Sequence, residues 1–337
     1  MTEFSVAGRR VTVVGAARSG VAAAELLAAR GARVTLTDLR PAIDEAPRLA
    51  SLGVALALGG HPAGLFEGSE LIVLSPGVPG DRPDVARARA AGVPVIGELE
   101  LASRWLKGRV IAVTGTKGKS TTTALIGRLL QAAGRDAMVG GNIGVPLSAQ
   151  VATSTAATLH VVETSSFQLE ETGTFHPWIA VLLNFSTDHL DRHGTVEAYA
   201  RAKSRIFVNQ TAADWAVVNA DDPAVLDMAA AGRAQVVRFA LDAPIADGFA
   251  VVNDWIARVD RQGVTPLVPL SAIHLIGRHL VADVLAAAAV GTIAGVDPAV
   301  MTRAVDGFRG LEHAMEPVGA IGGVRFVNDS KATNIEA

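Results

Sequence analysis

Twice in this sequence a short run of β-branched residues stops at a glycine and a segment of helical period follows at once. Val11 to Val14 ends at Gly15, Ser19 to Arg30 has helix spacing before Gly31, and Arg33 to Thr37 is a second apolar run ending at Asp38. Val110 to Thr114 likewise ends in the turn Gly115 to Lys119, and Ser120 to Ala133 is a helix stopped by Gly134. Strand, turn, helix, strand in that order is a βαβ unit of a parallel sheet with a right-handed crossover. Such sheets bind ligands at the carboxyl ends of their strands. Further strand candidates are Leu71 to Leu74, before Ser75-Pro76-Gly77, then Val93 to Ile96, Thr158 to Val162, Ile179 to Leu183, Trp215 to Val218 and Val324 to Val327. The chain reads as α/β: a Rossmann-like parallel-sheet domain, then a second α/β domain built around a phosphate loop.

At roughly 150 residues per domain, 337 residues predict about two domains. A chain that is 50% hydrophobic and 19% charged is not intrinsically disordered, because burial can offset its ordering entropy. It has no Cys, which excludes a disulfide framework, a thiolate zinc site and a cysteine nucleophile, and fits a reducing cytoplasm. The net charge of -3 argues against a general nucleic-acid surface, while leaving room for a local phosphate pocket. The N-terminus, MTEFSVAGRRVTVVG, has no apolar core of a signal peptide. The longest apolar stretch, Val284 to Val296, falls short of the ~18 residues a membrane span requires. The expectation is a soluble cytoplasmic protein without membrane insertion.

Gly115-Thr116-Lys117-Gly118-Lys119-Ser120-Thr121 is the most specific local signal. Small residues let successive backbone N–H groups curl around a phosphate, Lys119 adds a point charge, and Ser120 sits where a hydroxyl can ligate Mg²⁺ at a helix N-terminus. It departs from GxxxxGK[ST] in having Val113 at the first glycine position. The earlier loop, Gly15-Ala16-Ala17-Arg18-Ser19-Gly20, is a dinucleotide-type fingerprint with Ala17 in place of its middle glycine and Asp38 at the next strand end. By itself that loop is compatible with a plain turn, a nicotinamide or flavin site, or another nucleotide. A phosphate loop with Lys119 and Ser120 is foreign to a dehydrogenase; an enzyme joining ATP to a nucleotide-linked substrate needs both loops.

Other candidates stand at strand ends. Glu163 can supply a hard oxygen to Mg²⁺. Asp188-His189 with Asp191 follows the Ile179 run, and a lone His is more often structural than a ligand. Lys203 falls in an apparent helix, where a Lys is ordinarily a solvated surface charge.

Taken together, Gly115 to Thr121, Gly141-Asn142-Ile143-Gly144, Glu163 to Glu170, Asp188-His189-Leu190-Asp191-Arg192, Ala202-Lys203, Asn219-Ala220-Asp221-Asp222 and Asn328 to Asn334 resemble the motifs of the Mur ligase family, in the family's order. The resemblance implies an ATP-dependent amide ligase of peptidoglycan synthesis. ATP phosphorylates the carboxylate of UDP-N-acetylmuramoyl-L-alanine, and the amine of glutamate attacks the acyl phosphate. It implies residues 1–97 as a UDP-binding domain, 98–310 as the ATP-binding central domain, and 311–337 as a hinge and the start of a third domain. Partners would be these small molecules, with ATP and Mg²⁺ as cofactors and a monomer as the working form.

Residue by residue, the resemblance assigns ATP to Gly115, Thr116, Lys117, Gly118, Lys119, Ser120, Thr121, Asp283 and Asp329. It assigns the UDP-linked substrate to Arg18, Ser19, Asp38, Leu39, Arg40, Gly77, Asn142 and His189. Ser120 and Glu163 would hold one Mg²⁺, and His189 with a carbamylated Lys203 the other, so that Lys119, Lys203 and His189 are the catalytic set. Lys331 and Thr333 would face the closed site from the hinge. The family's GxHNxxN pattern is Gly277-Arg278-His279-Leu280-Val281-Ala282-Asp283 here, with Leu280 and Asp283 in place of its two Asn. Ala314 stands where an Arg is expected, and Lys117 where Asn is common. The expectation is a fragment stopping where a third domain begins; a related ligase such as a folylpolyglutamate synthase, and a binding module without turnover, are the alternatives.

Overall fold

The computed structural model describes residues 4–330. The first five strands, β1 (Arg10–Val14), β2 (Arg33–Asp38), β3 (Ala55–Leu58), β4 (Leu71–Leu74) and β5 (Val95–Gly97), form one parallel sheet in the order β3-β2-β1-β4-β5. Strands covered on both faces must be apolar at successive positions, and β4 is buried along its whole length. The strand order reverses at β1 and β4, which opens a crevice beyond their carboxyl ends. The helix Arg18–Ala29 lies close over this point because residue 20 is glycine. A methyl group there would sit 1.8 Å from the Gly15 carbonyl oxygen and 2.5 Å from Ser75 Oγ.

Nine further strands make the second sheet: β6 (Arg109–Thr114), β7 (Ala137–Gly141), β8 (Leu159–Glu163), β9 (Ile179–Leu182), β10 (Trp215–Asn219), β11 (Gln235–Ala240), β12 (Gly248–Val252), β13 (Trp255–Asp260) and β14 (Gly263–Pro269). The order is β14-β13-β12-β11-β10-β9-β6-β8-β7, parallel except for the antiparallel β12-β13-β14 edge. Alternate residues of β6 serve the two faces. Ile111 and Val113 pack toward the helices Lys119–Ala132 and His279–Ile293, and Val110 and Ala112 toward Leu147, Phe175 and Phe207. Pro266 is tolerated in β14 because that strand is at the edge. A hairpin of β15 (Glu316–Ile321) and β16 (Val324–Asn328) follows the helix Pro298–Asp306.

Among the described residues no helix is long and apolar enough to cross a membrane.

Candidate functional site

β6 delivers the chain into the phosphate loop at its carboxyl end. Gly118 has φ 78°, a left-handed conformation that a β-carbon disfavours, and it caps the helix Lys119–Ala132. Asn184, just beyond β9, fixes the loop from the side. Its Oδ1 accepts from the Thr116 and Lys117 N–H groups (3.0 and 2.8 Å), and its Nδ2 donates to the Lys117 carbonyl (3.1 Å). The sequence reading missed this residue; its only signal is its place one residue past a buried strand run. Lys119 folds back over the loop, donating to the Thr116 carbonyl at 2.9 Å. Thr121 occupies the first turn of the same helix.

Glu163 ends β8, which lies between β6 and β7, and its side chain gathers three motifs. Ser120 Oγ donates to one carboxylate oxygen at 2.6 Å and Asn142 Nδ2 to the other at 2.6 Å. Glu163 is 2% exposed. Gly141 permits this closeness, since a methyl group there would stand 2.4 Å from the Glu163 carbonyl oxygen. A buried carboxylate with a hydroxyl and a carboxamide beside it, at a helix N-terminus, is a donor set of hard oxygens that suits Mg²⁺. No group of three or more His, Cys, Asp or Glu side chains able to hold a metal occurs among the described residues.

Lys203 departs from the usual solvated setting of a helical lysine. It lies in the helix Val196–Ser204 at 1% exposure, with Nζ donating to the Gly115 carbonyl at 2.6 Å and standing 4.6 Å from the centre of the Tyr199 ring. Burial, and then the charge of Lys119, push its amine well below the ordinary lysine range, against the opposing charges of Asp188 and Glu163. His189 has φ 53° and starts the turn Leu190–His193. Its half-exposed ring lies 5.0 Å from Phe167 and 6.2 Å from Tyr199, centre to centre. Tyr199 thus touches both His189 and Lys203, and its hydroxyl is 3.4 Å from Thr116 Oγ1.

In the first sheet Asp38 accepts from the N–H of Ala16 (2.6 Å), the N–H of Arg40 (2.8 Å) and the Arg40 guanidinium (3.1 and 3.2 Å). Burial opposes ionisation of Asp38, yet the Arg40 pair and the two N–H donors outweigh it and lower its pKa to about 2. A cavity of about 240 Å³ at the strand-order reversal is lined by Gly15, Asp38, Leu39, His61, Gly77 and Arg82, among others. Leu39 is exposed, and Ser19 lies in the first turn of the helix behind the loop. His61 and Arg82 were not anticipated; His61 Nδ1 lies 2.8 Å from Thr37 Oγ1.

Two arginines link the sheets' loops in opposite directions. Arg18 donates to the Gly144 carbonyl (3.2 Å), two residues beyond Asn142, and Arg192 donates to the Val78 carbonyl (3.2 Å), one residue beyond Gly77. Arg192 also stacks on Phe167, 4.8 Å from its centre. Asp329 is at the base of the hairpin, where it accepts from the Met315 N–H at 3.0 Å. Lys331 and Thr333 lie outside the described residues. Asp283 is buried in the helix His279–Ile293, directly against Gly118.

Two α/β sheets each carry a glycine-bearing loop at a strand-order reversal, and the Ser120–Glu163 pair and the buried Lys203 stand beside the second. Residues 9–97 match the Mur ligase MurD-like N-terminal domain and residues 113–291 the Mur ligase middle domain. The chain belongs to the Mur ligase family, whose members are ATP-dependent amide ligases. It is 46% identical over 335 residues to the UDP-N-acetylmuramoylalanine--D-glutamate ligase of Acidobacterium capsulatum, covering 98% of this chain and 73% of that protein. To the ligase of the same name from Koribacter versatilis it is 44% identical over 337 residues, covering 99% and 74%. Among solved structures, a UDP-N-acetylmuramate:L-alanyl-gamma-D-glutamyl-meso-diaminopimelate ligase from Neisseria meningitides shares the fold. Its TM-score is 0.64 at 20% identity, over 91% of this chain and all of that one. The UDP-N-acetylmuramate-alanine ligase of Thermotoga maritima does so with a TM-score of 0.58 at 22% identity, over 95% and 74%.

Proposed function

We propose that this protein joins D-glutamate to UDP-N-acetylmuramoyl-L-alanine at the expense of ATP, in the cytoplasm and as a monomer. The observation that carries the reading is the Ser120–Glu163–Asn142 cluster beside the buried Lys203, with the nucleotide-type loop of the first sheet tied to it through Arg18 and Gly144.

A carboxylate is a poor electrophile, so the reaction begins with its oxygen attacking the γ-phosphorus of ATP, expelling ADP and giving an acyl phosphate. The loop N–H groups and Lys119 oppose the charge carried by the transferred phosphoryl group. The neutral amine of glutamate then attacks the acyl carbon, the tetrahedral intermediate expels phosphate, and the nitrogen gives up its proton as the amide forms. Asn142, held by Glu163, orients the muramoyl-alanine end, while Asp38, Arg40, Arg18, Ser19, Leu39 and Gly77 bind the UDP end.

Mg²⁺ fits the donor set: Ser120 and Glu163 would hold one ion, and His189 with carbamylated Lys203 a second, and the metal supplies charge neutralisation at the phosphates. Burial shifts Lys203 toward the neutral amine, the form that adds to CO₂, and the product would be a carboxylate-like oxygen ligand in place of a repelling cation. Thr116, Lys117, Gly118 and Thr121 complete the phosphate cradle, and Asp329, Lys331 and Thr333 are proposed at the hinge.

Thermal-shift titration with UDP-N-acetylmuramoyl-L-alanine and with ATP–Mg²⁺ separately tests this reading. Each ligand should raise the melting temperature by itself, and indifference to the UDP-linked substrate at high concentration would sink it.

A further inference from the structure

Asp283 is a buried carboxyl group packed against the phosphate loop. Its residue is 4% exposed, and its Oδ1 would lie 2.3 Å from a methyl group placed on Gly118, so the carboxyl packs directly on the phosphate loop. The Thr122 hydroxyl, one turn into the facing helix, is its polar neighbour. Yet Asp283 Oδ2 and Thr122 Oγ1 both lack a well-placed hydrogen-bond partner among the described residues. A buried carboxyl with an unpartnered oxygen, packed on the loop backbone, is held more cheaply as the neutral acid than as an anion.

The charged groups on the elements packed around this helix are Lys117 and Lys119 of the loop, Arg128 of the facing helix, Asp221 beyond β10, Arg238 of β11, Arg258 and Asp260 of β13, Arg303 and Asp306 of the helix Pro298–Asp306, and Arg278 and His279 at the start of its own helix. Arg128 donates to the Ala304 carbonyl, Asp221 accepts from the N–H groups of residues 241–243, and Arg278 pairs with Asp242. Burial drives the pKa of Asp283 up to about 8, against the Thr122 hydroxyl.

We infer that Asp283 holds a proton against the phosphate loop and that this proton is coupled to nucleotide phosphate, so that ionisation of Asp283 loosens the nucleotide and nucleotide binding recruits the proton. The inference rests on the ATP reading above. Its physical basis is plain: an anion packed on Gly118 repels the phosphate that the same loop must cradle, whereas a neutral acid does not. Each pKa unit by which bound phosphate raises Asp283 is about a tenfold loss of affinity once the pH exceeds both values.

The test is calorimetric titration of the whole chain with ADP–Mg²⁺ from pH 7 to 9, in pairs of buffers with different ionisation enthalpies. Asp283→Asn is isosteric and permanently neutral, and Asp283→Ser is a second neutral variant should the first fold poorly. The titration of ADP itself is common to all proteins and cancels. The wild type should weaken several-fold toward pH 9 and take up protons on binding near pH 8. Asp283→Asn should show a flat affinity and no such uptake. The same pH slope and proton uptake in the variant as in the wild type would overturn the inference while leaving the nucleotide reading intact. Absence of ADP binding in both proteins at pH 7 would overturn the nucleotide reading and the coupling with it. An independent readout is stability. The native group holds its proton from about pH 4 to 8 while the unfolded group does not, so wild-type stability falls with rising pH across that window. The melting-temperature advantage of Asp283→Asn should widen from pH 5 to pH 8.

Discussion

The Ser120 hydroxyl donates to the Glu163 carboxylate at 2.6 Å, joining the first turn of the helix behind the phosphate loop to the end of the neighbouring strand β8. The opposite oxygen of the same carboxylate is held by Asn142. Replacing Glu163 by Gln keeps the shape and removes the charge. Glu163→Gln should lower the apparent Mg²⁺ affinity, read from the Mg²⁺ dependence of ATP binding, by roughly 10- to 100-fold. Asn142→Ala should weaken it less and raise KM for the UDP-linked substrate. An unchanged Mg²⁺ dependence in Glu163→Gln would remove this carboxylate from the metal site.

Lys203 should behave as a buried amine that becomes a carboxylate. Incubation with ¹³C-bicarbonate should give a carbamate carbon signal in the NMR spectrum of the wild type that is missing in Lys203→Ala. Lys203→Arg should not restore turnover, since a guanidinium is charged and does not add to CO₂. Both variants should lose at least about 100-fold in kcat, a scale typical of removing a charge-stabilising group.

The two ligand loops should fail independently. In Gly20→Ala the added methyl group meets the Gly15 carbonyl and Ser75 Oγ, at a cost of about 1–3 kcal/mol or more, and the crevice for UDP should deform with it. Its thermal response to UDP-N-acetylmuramoyl-L-alanine should vanish while the ATP response persists. Lys119→Ala should do the reverse. Loss of both responses in either variant would contradict this separation.

How much of this was legible before the structure depended on what each residue type can reveal. β4 was read to the residue because Leu71 to Leu74 is a continuous buried run bounded by Glu70 and Ser75. β3 was not found, since Ala55-Leu56-Ala57-Leu58 has no β-branched residue, and β7 ends in two glycines that mask its strand character. The antiparallel edge β12 to β14 was also missed, with Pro266 arguing against a strand that only an edge position permits. At the site, phosphate-loop glycines and acidic strand ends stand out in sequence. The reach of Asn184 across the loop and the burial of Lys203 come from neighbours more than sixty residues away, which local patterns do not encode.

Asp38 should give an acid-side signature. Its folded pKa of about 2 lies below the ordinary carboxylate value of 3.8, so its stabilisation is present above that value and disappears as pH falls toward 2. The stability gap between wild type and Asp38→Asn should therefore be full at pH 5 and shrink from about pH 4 downward, as followed by chemical denaturation. A gap that stays constant down to pH 2 would place the effect of the substitution elsewhere.

The opposed arginines bear on how such a protein can be recombined. Arg18 reaches from the first sheet's loop to the turn that carries Asn142, and Arg192 reaches back from the turn after His189 to the strand end that carries Gly77. Each half therefore supplies a brace for a loop of the other. Grafting the first 97 residues onto the central part of a distant relative would leave both loops unbraced unless the backbone carbonyls at the Gly144 and Val78 positions stand where these guanidinium groups can find them. Exchange of modules in this architecture is thus constrained by a pair of carbonyl positions as well as by the fit of the apolar faces.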